Sequence, residues 1–88
     1  MDVKIKTLIA EGKVTEAISE LEKMPVEQQD KEWLFVVGEL YYRMGRHTDA
    51  LNKFNAFLRF EPGHVQATAY VRMINEILDF FCKDLLNP

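Results

Sequence analysis

Cysteine, glycine and proline are scarce in this 88-residue chain. Its one cysteine, Cys82, leaves no possible disulfide within the chain. That excludes a small scaffold held by bridges and points to a reducing, cytoplasmic setting. Four glycines and three prolines are too few for a turn-rich sheet fold and favour helices. No run approaches the roughly 18 apolar residues of a membrane span. The N-terminal run MDVKIKTLIAEGK is too short in apolar residues for a signal peptide and lacks a small-residue cleavage site. Basic residues are outnumbered, 11 to 14, and form no stripe that could follow a phosphate backbone. Nucleic-acid binding is therefore disfavoured. A net charge of −3 steers partners only weakly and is easier to match with a basic or mixed surface.

Residues able to do chemistry are also few and dispersed. His64 and Cys82 would stand about 27 Å apart along one straight helix, too far for a nucleophile–base pair. Cys82 reads as a small buried hydrophobe. His47 and His64 follow turns at helix starts, where they read as exposed or capping residues. No converging ligand cluster suggests a metal. Asp49 and Glu76 read as solvated helix residues. The glycines form no phosphate-cradling loop. The expectation is a non-enzymatic chain with no cofactor.

What is present is apolar periodicity. The apolar fraction, 48%, supports one domain over 1–88 with one modest core. Helices are predicted at about 2–10, 14–23, 29–44, 47–59 and 64–85. Ile5, Leu8 and Ile9 share a face of the first, and Val14, Ala17, Ile18 and Leu21 of the second. Gly12 and Pro25 end these two. The third carries Leu34, Val37, Gly38 and Tyr41 on one face. Trp33, Leu40 and Met44 lie on the neighbouring face, as befits a helix between two others. Gly45 caps it. Ala50, Leu51, Phe54, Phe57 and Leu58 point inward from the fourth, and Pro62-Gly63 turns the chain into the last.

The pattern repeats. Gly12, Ala17, Leu21 and Met24 lie 33 residues before Gly45, Ala50, Phe54 and Phe57, and Leu8 and Ile9 align with Tyr41 and Tyr42. Such a period denotes helix-turn-helix units that bury their faces by stacking. The stretch from Lys31 to His64, KEWLFVVGELYYRMGRHTDALNKFNAFLRFEPGH, resembles the tetratricopeptide repeat family. Its signature is Trp-x2-Leu-Gly-x2-Tyr, then Ala-x3-Phe, then Pro. Leu34 and Val37 stand for the tryptophan and leucine; Gly38, Tyr41, Ala50, Phe54 and Pro62 match directly. The first unit is a weaker copy with Ile5 at the small-residue position, which should widen its helix pair. The resemblance implies an all-α fold: a short superhelix of antiparallel helix pairs, about five helices, with a long C-terminal capping helix. In that last helix Thr68, Arg72 and Asn75 replace the stacking residues with polar ones. Ala67, Val71, Ile74 and Leu78 face back towards the fourth helix.

The resemblance also implies a function, presentation of a concave groove to a peptide or protein partner. Its candidate residues are Glu32, Phe35, Glu39, Tyr42, Met73 and Ile77, with Lys6 and Ile9 at related positions. A subclass that clamps acidic C-terminal tails uses groove lysine and asparagine. Phe35, Glu39 and Tyr42 stand there instead, which implies an apolar or basic ligand. The stripe of Met73, Ile77, Phe80 and Phe81 leaves three readings open: core packing, a homodimer contact, or a partner site. A structural homodimer without a peptide ligand, or an accessory subunit of an enzyme, are the alternative functions.

Overall fold

A computed structural model describes the backbone of residues 3–86 and the side chains of residues 3–81. The fold is all-α, with five α-helices and no strand among the described residues. The helices are α1 (Val3–Ala10), α2 (Val14–Glu22), α3 (Lys31–Arg43), α4 (His47–Phe60) and α5 (Val65–Leu86). Every described boundary falls within two residues of the sequence expectation. The element that periodicity missed is a 3-10 turn, Val26–Gln28. Pro25, at φ −57°, starts it, and Gln29 Nε2 donates to the Met24 carbonyl at 3.0 Å to close it. Asp30 then caps α3, its Oδ1 accepting the Trp33 N–H at 3.0 Å.

The turns after α1 and α3 have the same construction. Gly12 and Gly45 both adopt φ 77°, where a side chain would be strained. Beyond each glycine one N–H reaches back five residues. Lys13 donates to the Leu8 carbonyl and Arg46 to the Tyr41 carbonyl, both at 2.9 Å. Each bond satisfies a helix-end carbonyl and sends the chain back antiparallel. Ala17 and Ala50 then donate to the carbonyls of Lys13 and Arg46, both at 3.0 Å, at the start of the following helix.

Helix α3 is buried on two sides. Towards α4 it presents Val37 and Gly38; a Cβ on Gly38 would lie 3.0 Å from two ring atoms of Phe54. Removing that Cβ is what lets the fully buried Phe54 ring seat against the helix backbone. Towards α2 it presents Trp33, whose Nε1 donates to the Leu21 carbonyl at 2.9 Å. That carbonyl, in the last turn of α2, also accepts the Met24 N–H at 3.2 Å, so Trp33 ties α3 to the end of α2. Tyr41, 7% exposed, donates its hydroxyl to Glu22 Oε1 at 2.8 Å, with the Arg46 guanidinium 4.4 Å above its ring. In the first helix pair the buried Ile5 stands where Gly38 stands in the second, and α1 meets α2 less extensively than α3 meets α4. The shorter α1, 8 residues against 13, contributes to that difference. Met44, expected beside Leu40 on a packed face, is exposed where α3 ends, whereas Leu40 is fully buried.

Helix α5 packs on α4 through the buried Ala67 and Ile74 and the half-buried Val71 and Leu78. Thr68, Arg72 and Asn75 are exposed. With 22 residues against 14 for α4, α5 is about 12 Å longer. The last side chains described on it, Asp79, Phe80 and Phe81, are exposed.

Two stability predictions follow from the α3 contacts. Gly38→Leu should cost about 1–3 kcal/mol by overpacking against Phe54. Thermal melting measures this, and an unchanged melt would mean that the contact is loose. Burial, then the hydrogen bond to Glu22, pushes the Tyr41 phenol up to about 12. The folded state thus favours the neutral phenol. Its stabilisation is complete below about pH 10, the unfolded value, and is lost as pH rises through about 12. Urea titrations across that range should give a shallower loss for Tyr41→Phe than for the parent chain. Equal slopes would contradict the assignment.

Candidate functional site

The groove positions of α3 lie under a side chain that sequence reasoning passed over, Tyr70 of α5. Its ring stacks on Phe54 with centroids 4.5 Å apart and planes 8° from parallel. It also meets Tyr42 at 5.2 Å and Phe35 at 6.3 Å, both edge-on. Its hydroxyl donates to Glu39 Oε2 at 2.9 Å. Burial, reinforced by that hydrogen bond, raises the phenol's pKa. One signal could have exposed Tyr70: it is an aromatic one turn from both Ala67 and Ile74, at the edge of the inward face.

Tyr70 divides the six candidates. Phe35 is half-buried, ring to ring with Phe54 at 5.7 Å, Phe57 at 5.1 Å and His64 at 5.1 Å. It serves packing, with its remaining edge in a shallow cleft of about 260 Å³ beside Glu32, Glu61 and His64. Glu39 has one carboxylate oxygen engaged by Tyr70. Its other surroundings form a cleft of about 190 Å³ between α1 and α3, with Lys6, Ile9, Glu32 and Arg43 among its walls. Tyr42, Met73 and Ile77 come together elsewhere, in a cleft of about 390 Å³ that also involves Glu76, Phe80 and Phe81. The six groove candidates line three depressions among the described residues. Glu32 lies on two of them, and neither is the one that holds Met73 and Ile77.

The core-packing reading of the α5 stripe is corrected. Met73 is 40% exposed, Phe80 76% and Phe81 69%; only Ile77 is half-buried. The reason is length: α5 carries Phe80 and Phe81 beyond the aromatic core, and they pack edge-on against each other at 5.5 Å. The stripe and Tyr42 make an apolar surface with one carboxylate, Glu76, at its margin.

The polar residues have structural partners. His64 caps α5, its Nδ1 accepting the Ala67 N–H at 3.1 Å. His47 rests against the Tyr42 ring at 5.8 Å, with its Nδ1 enclosed and no hydrogen-bond partner among the described residues. Asp49 pairs with Arg46 at 2.8 Å. Lys31 pairs with Glu61 at 2.6 Å, joining α3 to the end of α4 and holding the Glu61 carboxyl below its usual range. No three histidine, cysteine or acidic side chains converge among the described residues. The Cys82 side chain lies outside them. No described helix is long and apolar enough to cross a membrane.

No family model matches this chain, and no solved structure matches it. Among curated proteins it is similar to a GTP cyclohydrolase III of Natronomonas pharaonis, 32% identical over 57 residues. The match takes in 65% of this chain and 22% of that protein, so the chain spans about a fifth of its relative's length.

The stack at the centre of the site has a measurable weight. Tyr70→Ala should destabilise the fold by about 3 kcal/mol through loss of the ring. Tyr70→Phe, which removes only the hydroxyl bonded to Glu39, should cost about 1 kcal/mol. Chemical denaturation of both variants checks the ordering, and equal losses would show that the stack itself contributes little.

Proposed function

We propose that this chain is a non-enzymatic protein-interaction module of the tetratricopeptide-repeat kind, acting in a reducing, cytoplasmic setting. Its working surface is the α3–α5 face of Tyr42, Met73, Ile77, Phe80 and Phe81. The observation that carries the reading is exposure. Two adjacent phenylalanines stand largely in water, beside a partly exposed methionine, on a helix whose other face is packed. A contiguous apolar patch beside a cleft marks an association site more often than a passive surface. Aromatic and methionine side chains supply large contact area there. The repeat reading draws support from the identical glycine turns at Gly12 and Gly45 and from the Gly38–Phe54 contact at the signature positions.

The site favours a partner with an apolar ridge over one recognised through charge. Glu39, which could have selected a basic residue, already accepts from Tyr70. Glu76 is the acidic group left beside the apolar cleft.

A pull-down from native extract with the full chain tests the proposal. Met73→Glu places a charge in the patch without touching the core, so the variant should keep its circular dichroism and melting curve while losing captured protein. Asn75→Glu, on the polar side of the same helix, should capture as the parent does. Equal recovery with both variants would rule against this surface.

A further inference from the structure

We infer that a second copy of the chain occupies this face, docked through α5 in antiparallel orientation about a two-fold axis near Glu76 and Ile77. The inference rests on the reading of the face as an interaction surface and specifies its occupant. The patch is laid out along α5. Tyr42 and Met73 form one end of the 390 Å³ cleft, and Phe80 and Phe81 the other. Met73 and Phe80 are seven residues apart, two helical turns or about 10.5 Å, and so lie on one stripe. Reversing the surface upon itself sets Met73 against Phe80 of the second copy and brings that copy's phenylalanine pair to the Tyr42–Met73 end. The same contact forms twice, as a closed two-fold interface requires.

Arg72, Glu76 and Asp79 lie on one exposed flank of the stripe, and none makes an ion pair among the described residues. Arg72 and Asp79 are also seven residues apart. A two-fold axis perpendicular to α5 makes this flank meet itself in reverse. Arg72 then faces Asp79 of the other copy on both sides of the axis, while Glu76 meets its own counterpart near the axis, a like-charge contact that offsets part of the gain from the two Arg72–Asp79 pairs. A parallel two-fold pair would instead turn this flank away from its counterpart and leave Arg72 without Asp79. An anionic membrane would meet two carboxylates for one arginine along this flank.

Large aromatic side chains offer about 150–250 Å² each. At 76% and 69% exposure, the four phenylalanines of two copies supply on the order of 400–700 Å². Met73, Ile77, Tyr42 and the flank extend this towards the roughly 1,200 Å² of a small specific interface. The dimer is accordingly a reversible one.

Sedimentation velocity of the full chain, from micromolar to millimolar, tests the inference. The expected result is a monomer that converts to dimer with rising concentration. Phe80→Glu should remain monomeric throughout with an unchanged melting curve. Asp79→Arg lowers the repulsion between two negative chains, yet should weaken dimerisation roughly threefold or more by setting Arg72 against a new arginine. Arg72→Glu should weaken it likewise, and the double exchange Arg72→Glu with Asp79→Arg should restore it. A monomer at every concentration, or single exchanges that leave association unchanged, would overturn the antiparallel dimer. If the monomer still captured another protein from extract in a Met73-dependent way, the dimer would fail while the interaction-module reading stood. If Met73→Glu changed neither association nor capture, both would fail.

Discussion

Phe54 is the residue on which the arrangement of α3, α4 and α5 depends. It is fully buried, edge against the bare Cα of Gly38 and face against Tyr70. A side chain at position 38 would displace the ring, and a displaced ring would no longer meet Tyr70 in parallel planes. The hydrogen bond from Tyr70 to Glu39 then ties α5 back to α3 across the same ring. Three helices are thus registered by one aromatic side chain and one missing methyl group. Trp33 and Tyr41 do the corresponding work on the opposite side of α3, using carbonyl and carboxylate acceptors on α2.

This packing also determines what is left for a partner. Tyr70 covers the part of α3 where Phe35, Glu39 and Tyr42 would have faced solvent together. The apolar surface that remains lies further along α5, where the helix passes beyond α4. A helix that merely closed the core could stop sooner or turn polar beyond Leu78. Phe80 and Phe81 do neither, and their exposure is the physical basis for reading the end of α5 as functional.

Much of the fold was legible from sequence because its determinants are local. Gly12 and Gly45 mark left-handed turns, Asp30 caps a helix, and apolar residues recur at helical spacing. The 3-10 turn at Val26–Gln28 was not legible, since three residues carry no period and its closure depends on the Gln29 side chain. The site was legible only in part. Register placed Tyr42, Met73 and Ile77 near one another but could not divide Glu32, Phe35 and Glu39 from them. That division comes from a tertiary contact of Tyr70 with residues more than 25 positions away, which no local pattern encodes. The exposure of Phe80 and Phe81 likewise follows from the relative lengths of α4 and α5.

The central claim is that Tyr70 lies inside the aromatic core while Phe80 and Phe81 lie outside it. Aromatic nuclear Overhauser spectroscopy at concentrations where the chain is monomeric tests it directly. The account predicts strong cross-peaks from the Tyr70 ring to Phe54 and Tyr42, and cross-peaks from Phe80 and Phe81 to each other but none to Phe54, Val37 or Leu40. Cross-peaks linking Phe80 or Phe81 to those core residues in the monomer, or a Tyr70 ring without contact to Phe54, would contradict it.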